Sequence, residues 1–216
     1  EIAQCLVGSE MCIRDRLTIG DTYDLICPSE YMTMKLMAEN KILNLFHATT
    51  MSRGLQIIKD GKIRTDAPSV ICWSLETTPG WIYLSDQLDN AVHWGNKIAC
   101  FSKDELFFYI FRVQVQEENC YPDTDDLQYV SWLSPEEAEN TDLYTCLSLC
   151  HSCRTDKELY TGCEISDYAV LPATTLYTDN SGHPQYDIVN TLKKHIGKDE
   201  YNQYESLRQR IEWVCL

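Results

Sequence analysis

The fold is decided by two stretches that follow one pattern, LFHATTMSRGLQIIKDGKI (residues 45–63) and WIYLSDQLDNAVHWGNKIA (residues 81–99). In each, an apolar segment typical of a buried strand runs into a short polar segment and then into a helix. Thr50 is placed to cap the first helix, and Gly61 is placed to end it in the left-handed conformation that glycine favours. The pattern therefore predicts two strand–helix units, each with polar side chains where the strand ends.

The rest of the sequence predicts a protein of mixed α and β structure with strands in the middle. The clearest strand is FFYIFRVQV at residues 107–115, whose second half alternates apolar and polar side chains. YPDTDDL at residues 121–127 is predicted to be an acidic loop, and Ser134 begins a capping box. Further predicted elements are short strands at residues 163–166 and 168–171 and a helical tail with Tyr201, Tyr204, Leu207, Ile211 and Val214 on one face.

Composition indicates a globular protein with an acidic surface. The 216 residues carry 18 Lys and Arg against 33 Asp and Glu, a formal net charge of −15. Such a surface repels phosphate backbones at long range and disfavours a nucleic-acid partner. No apolar run is long enough to span a bilayer, so no membrane partner is expected.

The first sixteen residues are set apart from the fold. The run VGSEMCIRDR at residues 7–16 resembles a translated sequencing adapter, so residues 1–16 are predicted to be a non-native leader. Residues 17–216 are predicted to form a single domain, with a core at about 42–178 and a helical C-terminal extension at about 184–216.

Cysteine is frequent, with 11 residues, but its irregular spacing makes a poor disulfide framework and favours reduced thiols in the cytoplasm. Cys146, Cys150 and Cys153 have the spacing of an iron–sulfur motif, and together with Cys163 they offer a zinc ligand set. Too little chain follows them for the barrel that carries such iron–sulfur motifs, and a second C-x₂-C pair is missing. No metal is therefore predicted.

His47 and Tyr83 carry the chemistry that the two strand–helix units share. Each stands where a strand ends, followed by hydroxyl residues and a helix start. In one sheet, these strand ends would surround a cleft with an imidazole, a phenol, hydroxyls and free backbone groups. A flat aromatic amide suits such a cleft, because the phenol ring can stack on it and backbone groups can pair with its carboxamide.

Taken in order, residues 45–63, residues 81–99 and the strand at 107–115 resemble the ADP-ribosyltransferase superfamily, in its His–Tyr–acidic class. This class includes poly-ADP-ribose polymerases and diphtheria-type toxins, and the sequence motifs here are most similar to those of rifampin ADP-ribosyltransferases. The resemblance covers residues 43–126 and, less fully, 160–172. It implies an α+β fold, with a split mixed β-sheet core, flanking helices and a helical C-terminal tail.

The resemblance also implies roles toward NAD⁺ as co-substrate. His47 would hydrogen-bond the hydroxyls of the nicotinamide ribose, Thr49 would help to hold that ribose, and Tyr83 would stack on nicotinamide. Ala48 stands where the family usually has glycine, and its backbone would pair with the carboxamide. The expected cofactor-binding residues are His47, Ala48, Thr49, Tyr83, Ser85 and Trp94.

The third element of this class is an acid that favours the positive charge developing on the ribose as nicotinamide leaves. Rifampin-type relatives carry it in an acidic loop after the central strand, which offers Asp123, Asp125 or Asp126, with Asp123 preferred. Other branches carry it at the start of a later strand, which offers Glu164. The candidate catalytic residues are His47, Tyr83, Asp123 and Glu164.

The activity implied is mono-ADP-ribosyl transfer to an acceptor that the sequence does not identify: a protein, a nucleic acid or a small molecule. A cytoplasmic modifying enzyme, a delivered toxin and a phage-conflict protein all fit. A non-catalytic module for NAD⁺, ADP-ribose or a nucleotide signal is the alternative, because Ala48 replaces glycine and the acid is open. An RNA 2′-phosphotransferase is disfavoured, since that chemistry needs several arginines and only Arg53, Arg64 and Arg112 lie in the relevant half.

Overall fold

The structure is a computed structural model that describes residues 41–67, 71–72, 75–102, 105–174, 180–195 and 201–216. The predicted leader lies outside the described residues. None of the helices within these ranges is long and apolar enough to cross a membrane.

The described strands confirm the α+β class but form an antiparallel rather than a mixed sheet. In chain order they are β1 (Ile42–Thr50), β2 (Lys62–Ile63), β3 (Ile71–Cys72), β4 (Leu75–Glu76), β5 (Ile82–Ser85), β6 (Phe107–Gln116), β7 (Tyr121–Pro122), β8 (Ser152–Thr155), β9 (Leu159–Tyr160), β10 (Ile165–Pro172) and β11 (Val214–Cys215). Seven of them form one sheet in the order β11-β10-β6-β1-β5-β8-β7, and its ladders run antiparallel. The pairs β2–β9 and β3–β4 form two separate ladders.

Seven α-helices lie in the described residues, and short 3₁₀ turns occupy Glu117–Asn119 and Tyr201–Tyr204. The helices are α1 (Met51–Asp60), α2 (Leu88–Phe101), α3 (Thr124–Tyr129), α4 (Pro135–Glu139), α5 (Leu143–Cys150), α6 (Tyr186–Leu192) and α7 (Glu205–Arg208).

Strand β1 is paired very differently on its two sides. Against β6 the ladder is continuous from Ile42↔Gln116 to Thr50↔Phe108, whereas against β5 it consists of the single pair Phe46↔Ser85. The sheet is therefore firmly joined on the β6 side of β1 and open on the β5 side. Backbone N–H and C=O groups of β1 on the open side need other hydrogen-bond partners. The open side is where the two strand–helix units meet.

The first two helices begin and end largely as predicted. The Thr50 hydroxyl accepts from the Arg53 amide at 3.4 Å, and Gly61 ends α1 with φ 71°. Helix α2 begins at Leu88 with Gln87 as its N-cap, after the short polar segment that the pattern predicts between strand and helix. The capping box at Ser134 is confirmed at the start of α4.

Each of these helices approaches β6 through a glycine. A Cβ on Gly54 of α1 would stand 2.3 Å from the Tyr109 ring, and one on Gly95 of α2 would stand 2.4 Å from the Phe108 ring. Neighbouring residues of a strand point to opposite faces, so α1 and α2 cover opposite faces of the sheet. Two apolar cores result, one on each face.

A buried ion pair attaches the C-terminal helices to α2. The Arg208 guanidinium donates to both oxygens of Asp89 at 2.8 and 2.9 Å, and the two side chains are 5% and 0% exposed. Such two-pronged pairing suits a planar guanidinium and offsets the cost of burying both charges. The pair fixes one end of the helix that also lines the site.

Three predicted elements are corrected. The acidic segment at residues 121–127 is not a loop throughout, because the Asp123 carboxylate caps α3 and acidic residues favour a first helical turn. The two short strands at 163–166 and 168–171 are one strand, β10, with an irregularity between Ile165 and Asp167. The tail is helical only in part, since β11 pairs with the edge of β10.

Gly95→Ala is expected to lower the free energy of unfolding by about 1–3 kcal/mol, because the new methyl group would overlap the Phe108 ring and crowd Ala48. This penalty exceeds the gain in helix propensity. Urea denaturation of the full chain measures it, with Gly182→Ala as the matched control, since nothing lies within 4 Å of a Cβ there. Equal stability of the two variants would contradict the close approach of α2.

Candidate functional site

A cavity of about 460 Å³ occupies the open side of β1, and its walls come from both faces of the sheet. Helix α1 contributes on one face and α2 on the other, while α3 and β8 close the far side. The cavity therefore passes through the gap between β1 and β5. The cavity is lined by seven of the site residues predicted from the sequence: His47, Ala48, Thr49, Tyr83, Ser85, Trp94 and Asp123. Asp125 and Asp126, the alternatives to Asp123, line it as well.

His47 and Tyr83 meet across the gap. The His47 Nδ1 lies 3.0 Å from the backbone oxygen of Tyr83. Since a carbonyl only accepts, Nδ1 carries the hydrogen, and Nε2 of the neutral ring is an acceptor. Burial lowers the pKa of His47 and the nearby charge of Arg53 lowers it further, so the ring is neutral at physiological pH.

The Tyr83 ring is held by two partners at its hydroxyl. It donates to the Asp125 carboxylate and lies 3.1 Å from the Thr78 backbone oxygen. Burial and the hydrogen bond to Asp125 raise the pKa of Tyr83, so the phenol stays protonated. Asp125 is itself fixed by the Thr78 amide and hydroxyl, both at 2.8 Å. The contact between Tyr83 and Asp125 joins residues 42 positions apart, so it leaves no local signal in the sequence.

Asp123 lines the cavity, but its oxygens are engaged within the protein. One oxygen accepts from the backbone amides of Asp125 and Asp126 at 3.1 and 3.0 Å, and the other accepts from the Ser152 hydroxyl at 2.6 Å. Burial raises the pKa of Asp123 to about 6. Its geometry is that of a helix cap that ties α3 to β8.

Asp126 differs from its neighbours because neither of its carboxylate oxygens has a hydrogen-bond partner among the described residues. The residue is only 3% exposed and lines the cavity. Burial, followed by the charge of Asp123, raises the pKa of Asp126 to about 8, while Lys97 and Ser152 oppose the shift. An unpaired buried carboxyl is costly, and perturbed carboxyls in clefts mark functional sites.

Glu164 is not brought to the cavity. It immediately precedes β10, which β6 separates from β1, and its carboxylate accepts from the Tyr160 amide at 2.9 Å. It does not line the cavity. Among the acids that the sequence offered, the structure therefore leaves Asp126 as a buried carboxyl of the cavity wall whose oxygens have no hydrogen-bond partner among the described residues.

The remaining predicted residues form walls and supports. The Trp94 ring lines the cavity, with the Lys97 ammonium 4.3 Å from its centroid. The Ser85 hydroxyl donates to the His151 backbone oxygen at 2.6 Å, so it ties β5 to the turn before β8. Ala48 lines the cavity while its methyl group lies close to α2 at Gly95.

The end of the cavity formed by α1 and β2 carries charges of both signs, because Asp60 and Asp66 line it together with basic side chains. Arg53 and Lys62 line it, and Arg64 follows β2. Lys62 pairs with Glu158 at 2.7 Å, and Arg64 pairs with Asp66 at 2.9 Å. The cavity thus has an acidic wall at α3 and a wall of mixed charge at α1 and β2.

The cysteine motif packs behind α3. The sulfurs of Cys146 and Cys150 are 3.6 Å apart, and the Asp123 amide donates to the Cys146 sulfur at 3.2 Å. Cys163 is exposed, away from these buried thiols. Within the described ranges, no three His, Cys, Asp or Glu side chains are arranged to hold a metal ion.

No protein-family model matches the chain, and neither does any curated protein.

Asp126→Asn is expected to stabilise the protein increasingly as the pH rises. In the folded chain the carboxyl has a pKa of about 8, against 3.8 for the ordinary group. Between these values the unfolded chain loses the proton and the folded chain keeps it, so the free energy of unfolding of the wild type falls as the pH rises. At pH 4 the wild type and the variant should melt together. At pH 8 the variant should gain about 1 kcal/mol or more, which corresponds to roughly 2–4 °C for a chain of this size.

Thermal melts at pH 4, 6 and 8 test this expectation. Asp156→Asn removes an exposed carboxyl and serves as the control. A stability difference for Asp126→Asn that does not change with pH would show that this carboxyl ionises normally.

Proposed function

We propose that the chain is a mono-ADP-ribosyltransferase with an ADP-ribosyltransferase-like α+β domain, and that the cavity between β1 and β5 takes NAD⁺ as co-substrate. The observation that carries the proposal is the juxtaposition of His47 and Tyr83. They lie 36 positions apart and share a 3.0 Å hydrogen bond on the wall of a cavity that also holds an unpaired carboxyl. The sequence resemblance required this combination of groups.

The residues present fit a nicotinamide ribose. Tyr83 and Trp94 give the cavity two aromatic surfaces, and Asp126 supplies carboxyl oxygens without an internal partner. NAD⁺ supplies a bond between ribose and nicotinamide whose cleavage leaves positive charge on the sugar. Once it has lost its proton, the buried Asp126 carboxylate stabilises that charge far more than it would in water.

His47 and Thr49 complete the ribose site. Because the His47 Nδ1 donates to a backbone carbonyl, its Nε2 is oriented by the fold and accepts a hydrogen bond from a sugar hydroxyl. Thr49 lies two residues along β1 and lines the cavity. Arg53 is near enough to His47 to affect its pKa, so an anionic group next to the ribose finds a positive charge there.

The acceptor is proposed only as a class, a nucleophile on a protein, a nucleic acid or a small molecule. No disulfide joins Cys120, Cys146, Cys150, Cys153, Cys163 or Cys215, which supports a reducing, cytoplasmic setting. A module that binds NAD⁺ without turnover is the second candidate. It is favoured by one observation, that the raised pKa of Asp126 keeps this carboxyl protonated in the empty cavity at neutral pH.

Nicotinamide release from NAD⁺, followed by chromatography, tests the proposal. We expect His47→Ala, Tyr83→Ala and Asp126→Asn each to lower the rate by about 100-fold or more, in line with the loss of a preorganised electrostatic contact. Tyr83→Phe should lose less, because the ring remains and only the hydroxyl contacts with Asp125 and the Thr78 backbone are removed.

Glu139→Gln is the control, since this exposed carboxyl ends α4 away from the cavity. Glu164→Gln compares Glu164 with Asp126, two of the four acids that the sequence left open. A large loss in Glu164→Gln with full activity in Asp126→Asn would transfer the acid's role to Glu164. Binding of NAD⁺ with no release by the wild type would identify the binding module instead.

A further inference from the structure

A second hollow lies between α2 and the residues that follow α6. Its volume is about 340 Å³, within the range of sites that bind small organic molecules. We call it the lysine groove, and it is lined by His93, Asn96, Lys97, Cys100, Phe101, Lys193 and Lys194. None of these residues lines the cavity between β1 and β5, so the groove is not an extension of that cavity.

The charge of the lysine groove is opposite to that of the whole chain. Asp and Glu outnumber Lys and Arg by 33 to 18, yet among the described residues the groove is lined by three lysines and by no acid. Lys97, Lys193 and Lys194 form no ion pair with a described carboxylate. Ammonium groups gathered without a counter-ion repel one another, so an anion bound among them is stabilised.

Lys193 is held in place by a buried network. Its ammonium donates to the Thr174 backbone oxygen at 2.8 Å and to the Thr174 hydroxyl. Thr174 is fixed in turn by Asn96, whose side-chain oxygen accepts from the Thr174 amide at 2.7 Å, and both residues are buried. A lysine ammonium has three N–H donors, so these contacts leave one donor of Lys193 for a ligand.

His93 links the two elements that carry the lysines. Its Nδ1 lies 3.2 Å from the Lys193 backbone oxygen. Burial lowers the pKa of His93, that hydrogen bond opposes the shift, and the charges of Lys97 and Lys193 add to it. Burial also lowers the pKa of Lys193, with Cys100 opposing and the charge of Lys194 adding to the shift. The three lysine charges therefore act within one small region.

Helix α6 explains only part of this arrangement. Lysines just after the end of a helix are favoured by its dipole, which accounts for Lys193 and Lys194. The dipole of α6 does not account for Lys97, which lies on α2 and whose ammonium is 4.3 Å from the Trp94 ring centroid. Basic side chains that reach one groove from two separate elements point instead to an anionic ligand.

The lining of the groove narrows the class of anion. Phe101 is half exposed and adds apolar surface beside the lysines, which suits an organic anion. A phosphate ester carries about two negative charges and several oxygens that accept from lysine donors. A nucleic acid is disfavoured, because its further phosphates would meet the acidic surface of a chain with a net charge of −15.

We propose that the lysine groove binds the phosphate group of a small phosphorylated organic molecule. Lys193 and Lys194 donate to the phosphate oxygens, Lys97 adds positive charge, and Phe101 contacts the organic part. This site goes beyond the proposed function, since it shares no lining residue with the cavity assigned to NAD⁺.

Alkylation of Cys100 tests the site, because this exposed cysteine lines the groove. The full chain is treated with iodoacetamide, and mass spectrometry follows each cysteine. Phenyl phosphate is the probe, and phenol is its uncharged counterpart. We expect phenyl phosphate to slow alkylation of Cys100 severalfold at saturation and phenol to have no effect. Cys163 and Cys215 are exposed outside the groove and should react at unchanged rates.

Two lysine substitutions locate the phosphate. Lys97→Gln and Lys194→Gln should each weaken the affinity for phenyl phosphate by about three- to tenfold, the value of a partly exposed charge-assisted contact. Lys157→Gln removes an exposed lysine outside the groove and should bind as the wild type does. The buried Cys153 should stay unreactive in each variant, which shows that the variant is folded.

Several results would overturn the proposal. Equal slowing of Cys100 by phenyl phosphate and phenol would remove the role of the phosphate, and equal weakening in Lys157→Gln would reduce the effect to overall charge. Inorganic phosphate that protects as well as phenyl phosphate would remove the organic part. A DNA oligonucleotide that protects Cys100 at lower concentration than phenyl phosphate would indicate a nucleic-acid surface.

His47→Ala separates this site from the proposed function. Protection of Cys100 by phenyl phosphate should be the same in His47→Ala as in the wild type, whether or not the chain releases nicotinamide from NAD⁺. Loss of that protection in His47→Ala would show that the groove and the cavity form one site and would overturn the proposal.

Discussion

The structure depends on how little of β1 is paired with β5. One register pair joins these strands, while the other edge of β1 is fully laddered to β6. The single side-chain bond from His47 to the Tyr83 backbone takes a place that a ladder bond would otherwise fill. Because backbone groups near the gap need partners, a sheet opened in this way is suited to receive an amide-bearing ligand. The cavity, its two faces and its mixed walls follow from that opening.

The parts of the fold that the sequence predicts are those with local causes. Thr50 and Gly61 bound α1 through contacts within a few residues, and the alternation at 107–115 is visible in the strand itself. Placement of the predicted ligand-binding residues around one cavity also follows from the two repeated strand ends. The acid was not predictable in the same way. Which of the two carboxyls, Asp123 or Asp126, has hydrogen-bond partners depends on Ser152, which lies far along the chain.

The tail shows how one apolar pattern serves two structures. The stripe that includes Leu207 and Val214 suits a helix by spacing, yet α7 ends at Arg208 and the chain finishes as a strand on β10. Long-range partners decide the outcome. Arg208 is fixed by its buried pair with Asp89, and the exposed edge of β10 offers backbone groups that a short strand satisfies. Neither partner is visible in the local sequence.

The three neighbouring carboxyls of the acidic wall have different hydrogen-bond partners. The Asp123 carboxylate caps α3, and the Asp125 carboxylate accepts a hydrogen bond from the Tyr83 hydroxyl, so both already have partners within the protein. Their charges also make ionisation of Asp126 harder, because like charges nearby disfavour it. Two carboxyls satisfied inside the protein thus leave the third without an internal partner and keep it protonated at neutral pH. The fold accepts an unpaired buried carboxyl at this position, and raising the pKa so that the group stays neutral limits the stability that it costs.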